Sequence, residues 1–160
     1  MADVTVMGAG IFGLSVAWAC LGRGASVQVI DPHGPGAGAS GGVVGALAPH
    51  VPENWNDKKA FQFDSLMMAE GFWAGVQDAS GLSPGYARLG RLQPVPDDHA
   101  LDLARARAAG ARSLWQGHAD WEVIRADTLD WAPLSPTGWL IRDTLTARLH
   151  PRRACAALAA

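Results

Sequence analysis

The 160-residue chain has only two cysteines, Cys20 and Cys155, both inside apolar segments. That count excludes a disulfide framework and points to a reducing compartment with two buried thiols. Charge of one sign is lacking as well: 13 Lys and Arg stand against 15 Asp and Glu, a net charge of −2. Such a balance offers no electrostatic footprint for nucleic acid or for an anionic membrane. No uninterrupted apolar run approaches the roughly 20 residues that a membrane span needs. The apolar stretch from Val6 to Leu21 does not read as a signal peptide, because the first positive charge is Arg23 and three glycines interrupt it. The expected setting is soluble and cytoplasmic, with neither nucleic acid nor membrane as partner.

Several kinds of chemistry are missing too. The five histidines, His33, His50, His99, His118 and His150, show no metal-ligand spacing and no accompanying carboxylate cluster, so no metal is expected. No Ser-His-Asp or Cys-His pattern stands out. Ser40 lies among glycines, but its flanks do not make a nucleophile elbow. The rest is an ordinary α/β composition, 49% apolar and 18% charged. The length suits one core, or one domain and part of a second.

The informative stretch is "VTVMGAGIFGLSVAWACLGRGASVQVID", Val4 to Asp31. Val4, Val6 and Met7 read as a strand buried on both faces. Ile11, Leu14, Ala17, Trp18 and Leu21 come next at helical spacing, and Gly22 and Gly24 stop the helix. Ser26 to Ile30 is a second strand, closed by Asp31. The order strand, glycine turn, helix, strand, acid is a βαβ unit. In the turn of Gly8, Gly10, Ile11, Phe12 and Gly13, each glycine has a task. Gly8 permits the tight turn, Gly10 lets a pyrophosphate approach the backbone, and Gly13 lets helix and strand pack closely. The helix N-terminus then offers N–H groups and a positive dipole end to the phosphates. Asp31, with Pro32 after it, stands where a carboxylate accepts hydrogen bonds from a ribose diol and repels a 2′-phosphate. The spacing in this context predicts dinucleotide binding.

The residues after Asp31 bear on which dinucleotide. A nicotinamide-binding unit continues into a second helix and third strand, whereas this chain reads "PHGPGAGASGGVVGALAPHVP". Gly36, Gly38, Gly41 and Gly42 make a loop whose backbone can lie against a ligand, with the Ser40 hydroxyl beside it.

"GAGIFG", the acid at Asp31 and "GASGGVVGALAPH" together resemble the N-terminal part of the D-amino-acid oxidase-like flavoproteins, especially glycine oxidase and its sarcosine-oxidase relatives. The resemblance implies FAD as cofactor, with the second glycine-rich segment wrapping its pyrophosphate and ribityl chain. It implies that Ala39 and Ser40 face the phosphates and that Val43, Gly45, Ala46 and Leu47 line the path to the isoalloxazine ring. It also implies a small amine or amino-acid substrate. One departure is visible: the family commonly has Glu and then a basic residue where this chain has Asp31, Pro32 and His33. His50, just after the flavin-side loop, is the candidate substrate-side residue.

Asp57 to Ala79 predicts a long helix with an apolar stripe of Phe61, Met68, Phe72 and Val76 beside Ala69 and Trp73, capped by Asn56 and stopped by Gly81. "YARLGRLQPVP" reads as a strand, Asp97 or Asp98 caps a helix to Gly110, and "WEVIRADTLDW" reads as a strand turning into a short helix. "GWLIRDTLTARLH" is extended, with a hairpin at Arg142 and Asp143. Pro151 opens a last helix.

The expected fold class is α/β: a Rossmann-like FAD- or NAD(P)-binding βαβ domain with the beginning of an α+β substrate domain, in a truncated chain. Residues 1–81 would be the N-terminal part of the FAD-binding domain, 82–150 a partial substrate-side domain, and 151–160 the start of a helix returning to the first. The leading expectation is an FAD-dependent oxidoreductase that oxidises a C–N bond by hydride transfer to flavin. An NAD-linked dehydrogenase stands as an alternative. So does a non-catalytic dinucleotide-binding fragment or subunit that needs the missing C-terminal part or a partner chain. The 160 residues alone are expected to be inactive.

Overall fold

The computed structural model describes residues 1–160. The chain runs through β1 (Val4–Met7), α1 (Ile11–Leu21), β2 (Val27–Ile30), β3 (Gly45–Leu47), α2 (Asp57–Ser80), β4 (Arg91–Pro94), α3 (Asp98–Leu114), β5 (Trp121–Arg125), β6 (Trp139–Asp143), β7 (Ala147–Leu149) and α4 (Pro151–Ala159). One-turn 3₁₀ helices lie at Ala39–Gly41 and Ala126–Thr128. Strands and helices are mixed along the chain, with β2 and β3, and β5 to β7, following one another without an intervening α-helix.

Two compact units share this chain. The first comprises residues 1–46, 70–87 and 148–160; the second comprises 47–69 and 88–147. The expected division, at residue 81 with a return at 151, crosses between parts twice, whereas these units exchange the chain four times. Helix α2 belongs to the second unit up to Ala69 and to the first from Glu70.

In the first unit, β1 and β2 pair in parallel with Val4 opposite Val27 and Met7 opposite Ile30. Parallel neighbours need a crossover, and α1 supplies it, burying Leu14 and Ala17. The helix stops where the N–H groups of Gly24 and Ala25 turn back to the carbonyls of Leu21 and Cys20, with Gly24 at φ +83°. Cys20 is half-buried rather than buried, because it sits one position off the stripe that packs inward; Cys155 is fully buried. Helix α4 begins at Pro151 behind His150, whose Nδ1 accepts from the Arg153 N–H, and buries Ala154, Cys155, Ala157 and Leu158.

In the second unit, β4, β6 and β5 form an antiparallel sheet with β6 in the centre. Its apolar cluster joins Trp121 and Ile141 of the sheet to Leu101, Ala104 and Ala111 of α3, with Phe63 and Trp115 alongside. The Trp121 indole donates to the Ala104 carbonyl at 3.2 Å, which satisfies the one polar atom of that buried ring. Asp97 caps α3 by accepting the Ala100 N–H at 2.8 Å.

Five expectations need correcting. Strand β1 is not buried on both faces: Val4 and Val6 are half-buried and Met7 is exposed. The buried stripe of α2 is Phe63, Leu66, Ala69, Trp73 and Val76, while Phe61 and Met68 are 76% and 63% exposed. The two exposed residues lie roughly 100° round the helix from the stripe that packs. Helix α3 continues past Gly110 to Leu114, because the extra turn brings Ala111 and Trp115 into the core. The strand expected from Tyr86 starts only at Arg91: Gly90, at φ +75°, brings its backbone so close to the Asp143 carbonyl that a Cβ would lie 2.3 Å from it. No hairpin forms at Arg142 and Asp143. Both edges of β6 are taken by β4 and β5, and β7 pairs with β3. Asp143 instead turns the chain, its buried carboxylate accepting the Thr146 N–H at 2.7 Å and pairing with Arg91 at 3.1 Å.

Candidate cofactor site

The βαβ unit builds the site from backbone. Strand β1 ends in Gly8, whose N–H donates to the Ile30 carbonyl and whose φ is +105°. Only glycine holds that conformation without strain. A Cβ on Gly13 would lie 2.0 Å from the Gly8 carbonyl oxygen, so helix and turn touch backbone to backbone. Gly10 is the N-cap residue of α1 and offers no side-chain bond. The first-turn N–H groups of Phe12 and Gly13 have no partner within the helix, the usual state of a helix start.

Two distant segments close on this turn. Asp31, immediately after β2, accepts the Ala9 N–H on Oδ2 at 2.8 Å. Its Oδ1 accepts the N–H groups of His33 at 2.8 Å and Gly34 at 3.0 Å. These amides, Ala9 first, hold the Asp31 carboxyl below the usual carboxylate range despite partial desolvation. The glycine loop comes next: the Gly36 N–H donates to the Ala9 carbonyl at 2.8 Å, and Ser40 Oγ accepts the Ile11 N–H at 3.0 Å. Ser40 therefore caps α1 from 29 residues away.

The loop is backed by α4. The guanidinium of Arg152 donates to the Gly41 carbonyl at 3.0 Å, and its backbone N–H donates to the Gly42 carbonyl at 3.2 Å. Buried Cys155 packs on Gly36, where a Cβ would come within 3.1 Å of the cysteine's own. Burial pushes the Cys155 thiol up, opposed by its hydrogen bond with Ser40. Sequence reasoning does not point to Arg152 or Cys155 as site residues. They lie more than a hundred positions from the loop they support, and no local pattern links the two.

Gly8, Gly10, Ile11, Phe12, Gly13, Asp31, Ala39 and Ser40 thus stand together, with Pro32 exposed just behind Asp31. Val43 and Val44 are exposed, and Gly45 lies against Pro151. Ala46 is exposed in β3, and Leu47 packs on the apolar cluster of the second unit. His50 belongs to that second unit, where its N–H donates to Gln62 Oε1 at 2.7 Å. Beside Asp31 opens a groove of about 320 Å³, walled by Ala9, Leu14, Val29, Pro35 and Leu158.

These features suit a nucleotide pyrophosphate: an open helix N-terminus, a glycine turn with Gly8 at positive φ and Gly13 closed to any Cβ, and a loop folded over the turn. A family model described as FAD dependent oxidoreductase matches residues 3–160. The chain belongs to this family. Two curated relatives of the chain carry the name tRNA 5-methylaminomethyl-2-thiouridine biosynthesis bifunctional protein MnmC. The protein from Paracidovorax citrulli is 34% identical over 93% of the chain, and that from Chromohalobacter salexigens 30% identical over 91%. The chain spans 24% and 22% of their respective lengths. Among solved structures, glycine oxidase from Geobacillus kaustophilus superposes with a TM-score of 0.76 at 17% identity, over 99% of this chain and 43% of that one. L-amino acid deaminase from Proteus vulgaris with its specific insertion sequence deleted gives 0.75 at 21% identity, over 99% and 41%. The fold is thus shared with a glycine oxidase and an L-amino acid deaminase. No helix of the chain is long and apolar enough to cross a membrane.

Proposed function

We propose that this chain carries the ADP-binding part of an FAD-dependent enzyme that oxidises the C–N bond of an amine or amino acid in the cytoplasm. One observation carries the reading: Ala9 is gripped through both its N–H and its C=O, by Asp31 and by Gly36, so two glycine-rich segments meet at the start of α1. In this reading Gly8, Gly10, Ile11, Phe12 and Gly13 hold the pyrophosphate, with the N–H groups of Phe12 and Gly13 donating to it. Asp31 and Pro32 border the ribose end, and Ala39 and Ser40 close over the phosphates. Val43, Gly45, Ala46 and Leu47 lead towards the ring, and His50 stands on the substrate side. Bound FAD supplies a two-electron acceptor for the hydride on the carbon next to nitrogen. The residues of this chain bind and orient; none is assigned a proton transfer.

Two substrate classes are in play. The names of the solved neighbours favour a free amino acid. The names of the curated relatives favour an amine borne on a tRNA uridine, since a methylaminomethyl group is itself a secondary amine. The near-neutral charge of the chain weighs against extensive contact with nucleic acid through these residues. The test is to purify the full-length protein, measure bound flavin by absorbance, and assay amine-dependent flavin reduction with amino acids, small secondary amines and tRNA. Absence of flavin, with none taken up from added FAD, would sink the reading.

A further inference from the structure

The loop from Gly36 to Gly42 is a costly segment to hold still. Four of its seven residues are glycine, which loses the most backbone freedom on ordering. The loop folds tightly on itself: the Gly41 N–H donates to the Gly38 carbonyl at 2.9 Å, and a Cβ on Gly41 would lie 2.8 Å from the Gly36 carbonyl oxygen. The peptide between Gly41 and Gly42 is its open joint. With glycine on both sides, that plane turns over at little steric cost. Its carbonyl accepts one hydrogen bond, from the Arg152 guanidinium at 3.0 Å. The next carbonyl, at Gly42, accepts the Arg152 backbone N–H at 3.2 Å. All peptides here are trans, so C=O and N–H point in opposite directions. The N–H groups of Gly42 and Val43 therefore face away from Arg152, and that of Val43 makes no hydrogen bond within the chain.

Arg152 is poorly placed for its own helix. It stands with Arg153 in the first turn of α4, at the positive end of the helix dipole, and no acidic residue accompanies them there. Arg152 is exposed, so burial does not offset that position. Its side chain's hydrogen bond is the one to the glycine loop.

We propose that Arg152 is a positioning residue for the cofactor: it stops the Gly41–Gly42 peptide from turning over, which keeps the loop amides facing the diphosphate and slows cofactor release. The proposal deepens the reading of this turn and loop as the FAD site and rests on it.

The test compares the full-length, FAD-loaded protein with its Arg152→Ala and Arg153→Ala variants. FAD release is followed as the rise of flavin fluorescence after dilution, and amide hydrogen exchange is followed in the three apoproteins. Arg153 shares the turn and the charge, but its side chain bonds no loop carbonyl. Arg152→Ala should release FAD about tenfold faster, the effect of losing one hydrogen bond from a charged donor. Its faster amide exchange should be confined to residues 36–43. Arg153→Ala should match the parent in both measurements. The ratio of variant to parent release rates should be the same at about 0.01 M and about 1 M salt, because a bond to a carbonyl holds no ion pair to screen. A ratio that falls to one at high salt would show Arg152 paired directly with the phosphates. Exchange that also rises through α1 and α4 would show a role in the fold alone. Either result overturns the proposal, as does an equal acceleration in Arg153→Ala. A parent that holds FAD, with release unchanged in Arg152→Ala, overturns the positioning and leaves the cofactor reading standing. A parent that neither carries nor takes up FAD overturns both.

Discussion

At the scale of single residues, the site is made of close approaches that tolerate no added atoms. A Cβ on Gly13 would sit 2.0 Å from the Gly8 carbonyl oxygen. Gly13→Ala must therefore push helix from turn, and a loss of about 1–3 kcal/mol is expected from chemical denaturation. Gly10 is different: a Cβ there meets Ser40 Oγ at 3.3 Å, a contact a small shift relieves. Gly10→Val should fold and lose flavin, read as the absorbance ratio of the purified protein; full flavin retention would put the pyrophosphate elsewhere. Ser40→Ala removes the cap on Ile11 and should cost about 1 kcal/mol. Acid should act through Asp31, and through Asp3, whose carboxyl is lowered by hydrogen bonds from the Ser26 hydroxyl and N–H. Both carboxyls are depressed in the fold. Their contribution is complete above the unfolded value, near pH 4, and is lost as pH falls through the lower folded values. Thermal melts between neutral pH and pH 2 should decline in that window, and less so in Asp31→Asn.

At the scale of elements, helix α2 shows where periodicity misleads. The sequence offers two apolar lines on it, and only neighbours in space choose between them. Phe63 is 4% exposed in the second unit's apolar cluster, and Phe61 is 76% exposed. Phe63→Ala should cost about 3–5 kcal/mol, the range for a truncated core aromatic. Phe61→Ser should lie within about 0.5 kcal/mol of the parent in the same denaturation assay. Equal losses would mean that the exposed line is packed. The boundaries of α2 are legible in the sequence because local chemistry sets them. The Asn56 Oδ1 accepts the Lys59 N–H at 3.2 Å at one end, and Gly81 takes φ +70° at the other. Helix α3 reads too short in the sequence because Gly110 looks like a stop. The burial of Trp115 beyond it outweighs the cost of about 1 kcal/mol of a glycine inside a helix.

At the scale of the whole molecule, a bound cofactor adds to stability by mass action. A ligand bound only to the native state adds RT ln(1 + [L]/Kd), about 2.7 kcal/mol at a hundredfold excess over Kd. FAD should raise the melting temperature of the full-length protein, and NAD should not. The reverse result would restore a nicotinamide enzyme. The 160 residues alone should show no amine-dependent peroxide, because they cover only 43% of the glycine oxidase chain they superpose on. Robust turnover by this stretch would place the catalytic groups within it. Met7, Phe12, Val43 and Val44 are 63–88% exposed in the first unit, and apolar surface of that kind favours association. Concentration-dependent light scattering of the isolated 160 residues should show it.

The sequence by itself determined the βαβ unit, the glycine turn and the ends of α2. Each of these is governed by interactions within a few residues: missing Cβ atoms, helical spacing, a cap. Tertiary structure decided what those residues touch. It turned Asp31 back onto the Ala9 amide, brought Ser40 to the start of α1, and set Cys155 and Arg152 behind the loop. It also sent β7 to β3 instead of into a hairpin. Hydrogen bonds and packing between segments 22 to 119 positions apart leave no periodic trace in either segment, since each partner's choice depends on where the other is folded.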